Sequence, residues 1–167
     1  MYPVFLNLKD RLVVVVGAGP VGGRKVAGLL AAGAKVRVVC LERAPIPGVE
    51  WLNEPYRADH LEGACLVFAA ANPQVNAQVV ADARARGIWV CDAAAGSQGD
   101  FHTPAVYRRG PLVLAVGTTG LAPSIAAALR DHLAAQIGPE WLERLEQAPE
   151  RKFPPPPPDE PSASSFS

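Results

Sequence analysis

Gly17, Gly19 and Gly22 set a GxGxxG spacing straight after the valine run Val13–Val16. That spacing carries a chemistry. The first glycine lets the chain turn tightly off a strand. The second lets backbone approach a pyrophosphate, and the third lets the next helix pack close. Phosphate then faces a helix N-terminus, where unbonded N–H groups and the helix dipole favour negative charge. The string alone says little in a chain with 15 glycines. Its setting, an all-apolar strand before and an amphipathic helix pattern after, makes it a dinucleotide loop over a merely tight turn. Gly17, Ala18, Gly19, Pro20, Val21 and Gly22 are the expected cofactor contacts. Cys40 stands where an acid usually meets the ribose 2′-hydroxyl. Glu42 follows and reads either as the ribose partner or as an exposed loop acid, while Arg43 would suit a 2′-phosphate. NAD is favoured over NADP.

Proton chemistry has fewer candidates. Asp92 closes the apolar run Ile88–Cys91, with Asp100 and His102 shortly after. Open α/β sheets place ligands at the C-terminal ends of their strands. Removing a proton needs a base within reach of it. Asp92 reads as that base or as a loop-capping acid, and His102 as a second catalytic group or a wall residue. His60, His102 and His132 are scattered, and Cys40, Cys65 and Cys91 lack CxxC spacing, so no metal site is expected. The cysteines sit at or beside apolar runs and are expected to be buried free thiols.

The elements that must hold these groups alternate. Apolar runs at Leu12–Val16, Val36–Cys40, Val49–Leu52, Leu66–Ala70, Ile88–Cys91 and Leu112–Val116 read as strands. Val21–Ala32, Asn76–Arg86, Ser124–Gln136 and Glu140–Gln147 read as helices, with Ser124 as a cap and Asn72–Pro73 as a breaker. Strands alternating with helices predict an α/β fold, a Rossmann-like parallel sheet with helices on both faces. Only eight residues separate Cys40 from Val49, too few for a helical crossover but enough for a bare loop back to the far end of the sheet. The expected organisation is a dinucleotide-binding domain over 1–110, a strand–helix segment over 111–150, and a Pro/Ser-rich disordered tail over 151–167 holding the run Pro154–Pro158.

Lys+Arg and Asp+Glu both number 16. With no net charge, nucleic acid and anionic membranes are not expected partners. The longest early apolar run is Leu12–Val16, far below the roughly 20 residues that span a bilayer, and no secretory leader is read at the N-terminus. The cytoplasm is the expected location.

Several segments in order resemble the precorrin-2 dehydrogenase module of siroheme synthases, which also occurs alone. They are Tyr2–Leu8, Gly17–Lys25, Ala69–Asn72 with Asn76 beyond, Phe101–Pro104 (Phe-x-x-Pro), and Gly117–Pro123 before a helix. The likeness covers about residues 2–137. It implies that NAD takes a hydride from precorrin-2 to give sirohydrochlorin, with Fe²⁺ insertion in some members. It adds Leu41, Ala70 and Asn72 to the cofactor contacts. It also implies a homodimer, built through Leu112–Gln136.

Two departures accompany it. The family's catalytic aspartate lies seven residues before the Phe of Phe-x-x-Pro, and that position here is Ala94. Asp92, two residues earlier, would take the role through a small register change. The family also usually continues into a further helical segment, whereas Glu140–Glu150 leads straight into the proline run, which weakens the chelatase expectation. A polycarboxylate substrate needs cations, and Arg24, Lys25, Arg108, Arg109 and Arg130 are the candidates. The competing reading is a non-catalytic dinucleotide- or tetrapyrrole-binding module.

Overall fold

The computed structural model describes residues 1–41, 46–93 and 98–148. Glu42, Arg43, Ala94 and the expected tail lie outside them. The chain divides into two compact units, Met1–His102 and Thr103–Ser167.

In the first unit the strands are β1 (Leu12–Val16), β2 (Lys35–Val39), β3 (Glu50–Leu52), β4 (Leu66–Ala69) and β5 (Trp89–Asp92). They form one parallel sheet in the order β3-β2-β1-β4-β5. Helix α1 (Pro20–Ala31) follows β1 and α2 (Pro73–Ala85) follows β4. The fold is the Rossmann-like one expected.

The valine run explains why the sheet has two covered faces. Val13 and Val15 point to one face and pack with Val26 and Leu29 of α1. Val14 and Val16 point to the other and pack with Val79, Val80 and Ala83 of α2. All four valines are at most 2% exposed, so no position alternates to polar. Each such side chain taken out of water contributes roughly 1.5–3 kcal/mol.

Among the described residues, two crossovers show no full helix. After β2 the chain comes back to pair β3 parallel beside it, as expected, and Ile46 and Val49 pack on the α1 face. Between β3 and β4 a single 3₁₀ turn, Ala58–Leu61, covers the α2 face, and nothing in the sequence pattern announces it. His60 is buried there, its Nδ1 accepting from the Arg57 N–H (3.1 Å), so Nε2 donates to Glu54 (3.0 Å). Arg37 donates to the carbonyls of His60 (3.0 Å) and Glu62 (3.1 Å), tying the turn to β2.

Helix α2 begins three residues before its expected start. Asn72 is its N-cap, its Oδ1 accepting from the Val75 N–H (3.0 Å), and Pro73 occupies the first helical position. The Asn–Pro pair therefore starts a helix here.

The second unit holds an antiparallel hairpin, β6 (Ala105–Arg109) and β7 (Leu112–Val116), with α3 (Pro123–Ala134) packed on it and α4 (Glu140–Glu146) beyond. Gly110 supplies the positive φ that the two-residue turn needs. Ala122, not Ser124, is the N-cap of α3, and its N–H donates to the Thr118 hydroxyl (3.2 Å). No described helix is long and apolar enough to cross a membrane.

Candidate functional site

The strand order reverses at β1, which runs beside β2 on one side and β4 on the other. Such a switch point opens a crevice at the C-terminal edge of the sheet. Val39, Val16, Ala69 and Asp92 stand level across that edge. With strands about 4.8 Å apart, Asp92 lies about 10 Å from the end of β1. The segments leaving this edge carry most of the expected contacts: Gly17–Gly19 and the start of α1 at Pro20 and Val21 after β1, Leu41 after β2, and Ala70–Asn72 after β4.

The three glycines are held for different reasons. Gly17 has φ +95°, and its N–H donates to the Val39 carbonyl at 2.8 Å. A Cβ there would collide with the Ala70 carbonyl and lie 2.7 Å from the Ala71 nitrogen. A Cβ on Gly22 would collide with the Gly17 carbonyl. Both are demanded by close backbone packing. Gly19 differs: its φ of −62° suits any residue, and a Cβ there would meet nothing within 4 Å. The protein's own packing does not require glycine at 19, whereas a group lying against that backbone would. Gly19 is also the N-cap of α1, makes no side-chain cap, and has no acid in the turn after it. The opening thus combines bare backbone, a helix N-terminus and free approach, which fits a dinucleotide pyrophosphate.

Asp92 is 6% exposed, and Asn76 of α2 is 2% exposed. The Asn76 Oδ1 accepts from the Ala71 N–H (2.9 Å), and its Nδ2 donates to Asp92 Oδ1 (3.3 Å). A buried amide left without partners would cost about 1–3 kcal/mol, so these bonds make the placement tenable. The sequence marks Asn76 only through the family likeness and does not assign it this bridge. A signal for its burial is present, since Asn76, Val79, Val80 and Ala83 share the buried face at i, i+3, i+4 and i+7.

The other candidates are spread. Asp100 serves the outer side of β5: its N–H donates to the Val90 carbonyl (2.7 Å) and its carboxylate accepts from the Val90 N–H (3.0 Å). Arg84 binds the same carboxylate (3.4 Å) and the Gln98 carbonyl (2.6 Å). Gly99 fits only as glycine, because a Cβ there would sit 2.9 Å from the Asp92 nitrogen. His102 is half-buried at the end of the first unit. The Asn72 side chain is spent on its cap. Leu41 is half-exposed.

Among the cations, Arg24 is exposed. Lys25 turns inward, its Nζ 5.9 Å from the Phe68 ring centre, and Phe101 packs edge-on against that ring. Burial pushes the Lys25 ammonium below the ordinary lysine value of 10.5; Cys91 opposes the shift and Arg24 adds to it. Arg109 donates to the Ile137 carbonyl (3.1 Å), and Arg130 pairs with Asp131. Arg108 is exposed. Cys91 is buried, but Cys65 is exposed because it lies in the turn before β4, against the expectation of buried thiols.

Sheet order, crevice and glycine loop together define a dinucleotide-binding domain of the Rossmann-like class. Residues 4–105 match the NAD_binding_7 family model, described as NAD(P)-binding, and the chain belongs to that family. It is 37% identical over 143 residues to siroheme synthase 1 of Serratia proteamaculans (strain 568), covering 81% of this chain and 30% of that protein. It is 33% identical over 163 residues to siroheme synthase of Photorhabdus laumondii, covering 87% of this chain and 35% of that protein. The chain therefore spans about a third of the length of these curated relatives. Among solved structures, "SirC, precorrin-2 dehydrogenase" matches with a TM-score of 0.71 at 25% identity, over 87% of this chain and 76% of SirC. The likeness expected from the motifs is met.

Proposed function

We propose that the chain is an NAD-dependent precorrin-2 dehydrogenase, forming sirohydrochlorin in siroheme biosynthesis. The observation that carries this is the open backbone at Gly19, on the same edge of the sheet as the buried acid Asp92. The siroheme synthases and SirC supply the substrate class.

NAD bound at this loop supplies the hydride acceptor. The chain's own residues do the rest. Gly17, Gly19 and the first turn of α1 would hold the pyrophosphate, flanked by Ala18, Pro20, Val21 and Gly22, with Leu41, Ala70 and Asn72 as further cofactor contacts and Glu42, outside the described residues, as the ribose candidate. Asp92 takes the proton that leaves the macrocycle with the hydride, so that precorrin-2 and NAD give sirohydrochlorin, NADH and a proton. His102 is the second catalytic candidate. Exposed Arg24, just after the glycine loop, is a cation suited to a substrate carboxylate.

The active species is a homodimer in the cytoplasm. Ile125, Leu129 and Leu133 form an exposed apolar stripe on α3, with Leu121 beside its start, in the segment that the resemblance assigns to dimerisation. Free thiols at Cys40, Cys65 and Cys91 suit a reducing compartment.

The test is an anaerobic assay of the pure protein with precorrin-2 and NAD, followed by Fe²⁺ or Co²⁺. NADH and sirohydrochlorin appearing together support the dehydrogenase, and metal uptake afterwards supports chelation. The spacing that puts Ala94 at the family's acid position favours a second reading, a non-catalytic dinucleotide- or tetrapyrrole-binding module. Tight binding of NAD without turnover would establish that reading instead.

A further inference from the structure

Asn76 has no place in the reaction just described, yet it is among the most deeply enclosed polar residues of the first unit. It sits in the first turn of α2, on the helix face otherwise given to Val79, Val80 and Ala83. Its two ends meet two different parts of the crevice. One is the Ala71 N–H, in the turn whose neighbour Ala70 abuts Gly17. The other is the Asp92 carboxylate on β5.

The chemistry fixes which way the amide points. A backbone N–H can only donate, so the Asn76 carbonyl oxygen must face Ala71. The amide nitrogen then faces Asp92 and donates to it. An ionised carboxylate only accepts, so the orientation is complementary at both ends.

We propose that Asn76 is a positioning residue, one that sets the direction of the Asp92 carboxylate and joins the acid to the glycine-loop wall as a single hydrogen-bonded unit. The proposal rests on the reading of Asp92 as the base. It goes further in naming the residue that aims it. A direct contact of Asn76 with the substrate is not part of it.

An exchange of the two side chains tests it. Asn76→Asp keeps the acceptor toward Ala71 but sets two buried carboxylates against each other, which repel. Asp92→Asn is tolerated, because its amide can turn an oxygen toward Asn76. The double variant N76D/D92N restores one donor facing one acceptor. Thermal midpoints of the four proteins should therefore be non-additive, low for N76D and recovered in the double variant. A double variant no more stable than N76D would overturn the link, as would additive midpoints.

Turnover supplies the second readout. N76D should lose about tenfold or more in kcat through misaiming of the acid, while its NAD affinity by calorimetry stays within about threefold. The double variant should bind NAD and stay inactive, since the carboxylate is now on α2. An N76D protein with full kcat, beside an inactive D92N, would overturn the positioning role. If D92N itself turns over normally, the base assignment falls, and the stability cycle still decides the link. In D92N the Asn76 side-chain amide resonances should also move in ¹H–¹⁵N spectra; unmoved resonances would count against the contact.

Discussion

A methyl group at Gly22 would run into the Gly17 carbonyl, whereas one at Gly19 would meet nothing. The two positions should therefore fail differently. Gly22→Ala should lose about 1–3 kcal/mol of stability in urea unfolding, as overpacked sites do. Gly19→Val should keep its unfolding midpoint yet weaken NAD binding by at least about tenfold, or 1.4 kcal/mol, in a calorimetric titration. Unchanged affinity would remove the loop from the cofactor site. The motif is legible because its spacing falls between an all-apolar strand and an amphipathic helix pattern. Which glycine serves the fold and which the ligand is not, since that depends on a carbonyl five residues back in the chain in one case and on empty space in the other. Lys25 shows the same limit: in sequence it is a cation after a loop, and in the fold it leans on Phe68. Its pH effect has a definite sign. Burial lowers its folded pKa, so the charged form costs stability at neutral pH. As pH rises through the lowered value toward 10.5, the folded chain sheds the proton before the unfolded one does, and stability is regained. Between about pH 7 and about pH 10, the wild type should gain stability relative to Lys25→Met in denaturant titrations; parallel curves would show a fully solvated ammonium.

At the level of elements, the strands of the parallel sheet are readable because both of their faces are buried. An unbroken valine run suits a doubly covered strand and little else. Strand β6 escapes the sequence because Tyr107, Arg108 and Arg109 give it no apolar run, and its partner β7 alone carries the signal. The 3₁₀ turn Ala58–Leu61 is too short for any period to emerge. The start of α2 is misplaced by a reading of Asn–Pro as a stop, although a capping side chain with proline next is a start. Asn72→Ala should cost about 1 kcal/mol through the lost cap. If differential scanning calorimetry shows no change, the Val75 N–H has found another acceptor. Asp100→Ala removes the acceptor from the Val90 N–H and a partner from Arg84, and should cost about 1–3 kcal/mol by the same measurement.

For the molecule as a whole, the sequence foretells a Rossmann-like sheet followed by a strand and helices, and the hairpin in front of α3 is what it does not foretell. A two-stranded hairpin under one helix is marginal by itself. Here it comes with an exposed apolar stripe, Ile125, Leu129 and Leu133. If that stripe closes a homodimer, Leu129→Glu should turn the dimer into monomer in sedimentation equilibrium while NAD binding by the first unit persists. A wild-type monomer would dispose of the dimer proposal at once. The sheet also has a rim to guard. Val90, on the outermost strand, finds both its main-chain groups already taken by a single residue of its own chain, Asp100. That residue acts as a one-residue counterfeit strand. A neighbouring molecule drifting past at high concentration finds neither group of Val90 open to pair, and loss of the Asp100 carboxylate would free the Val90 N–H on that rim.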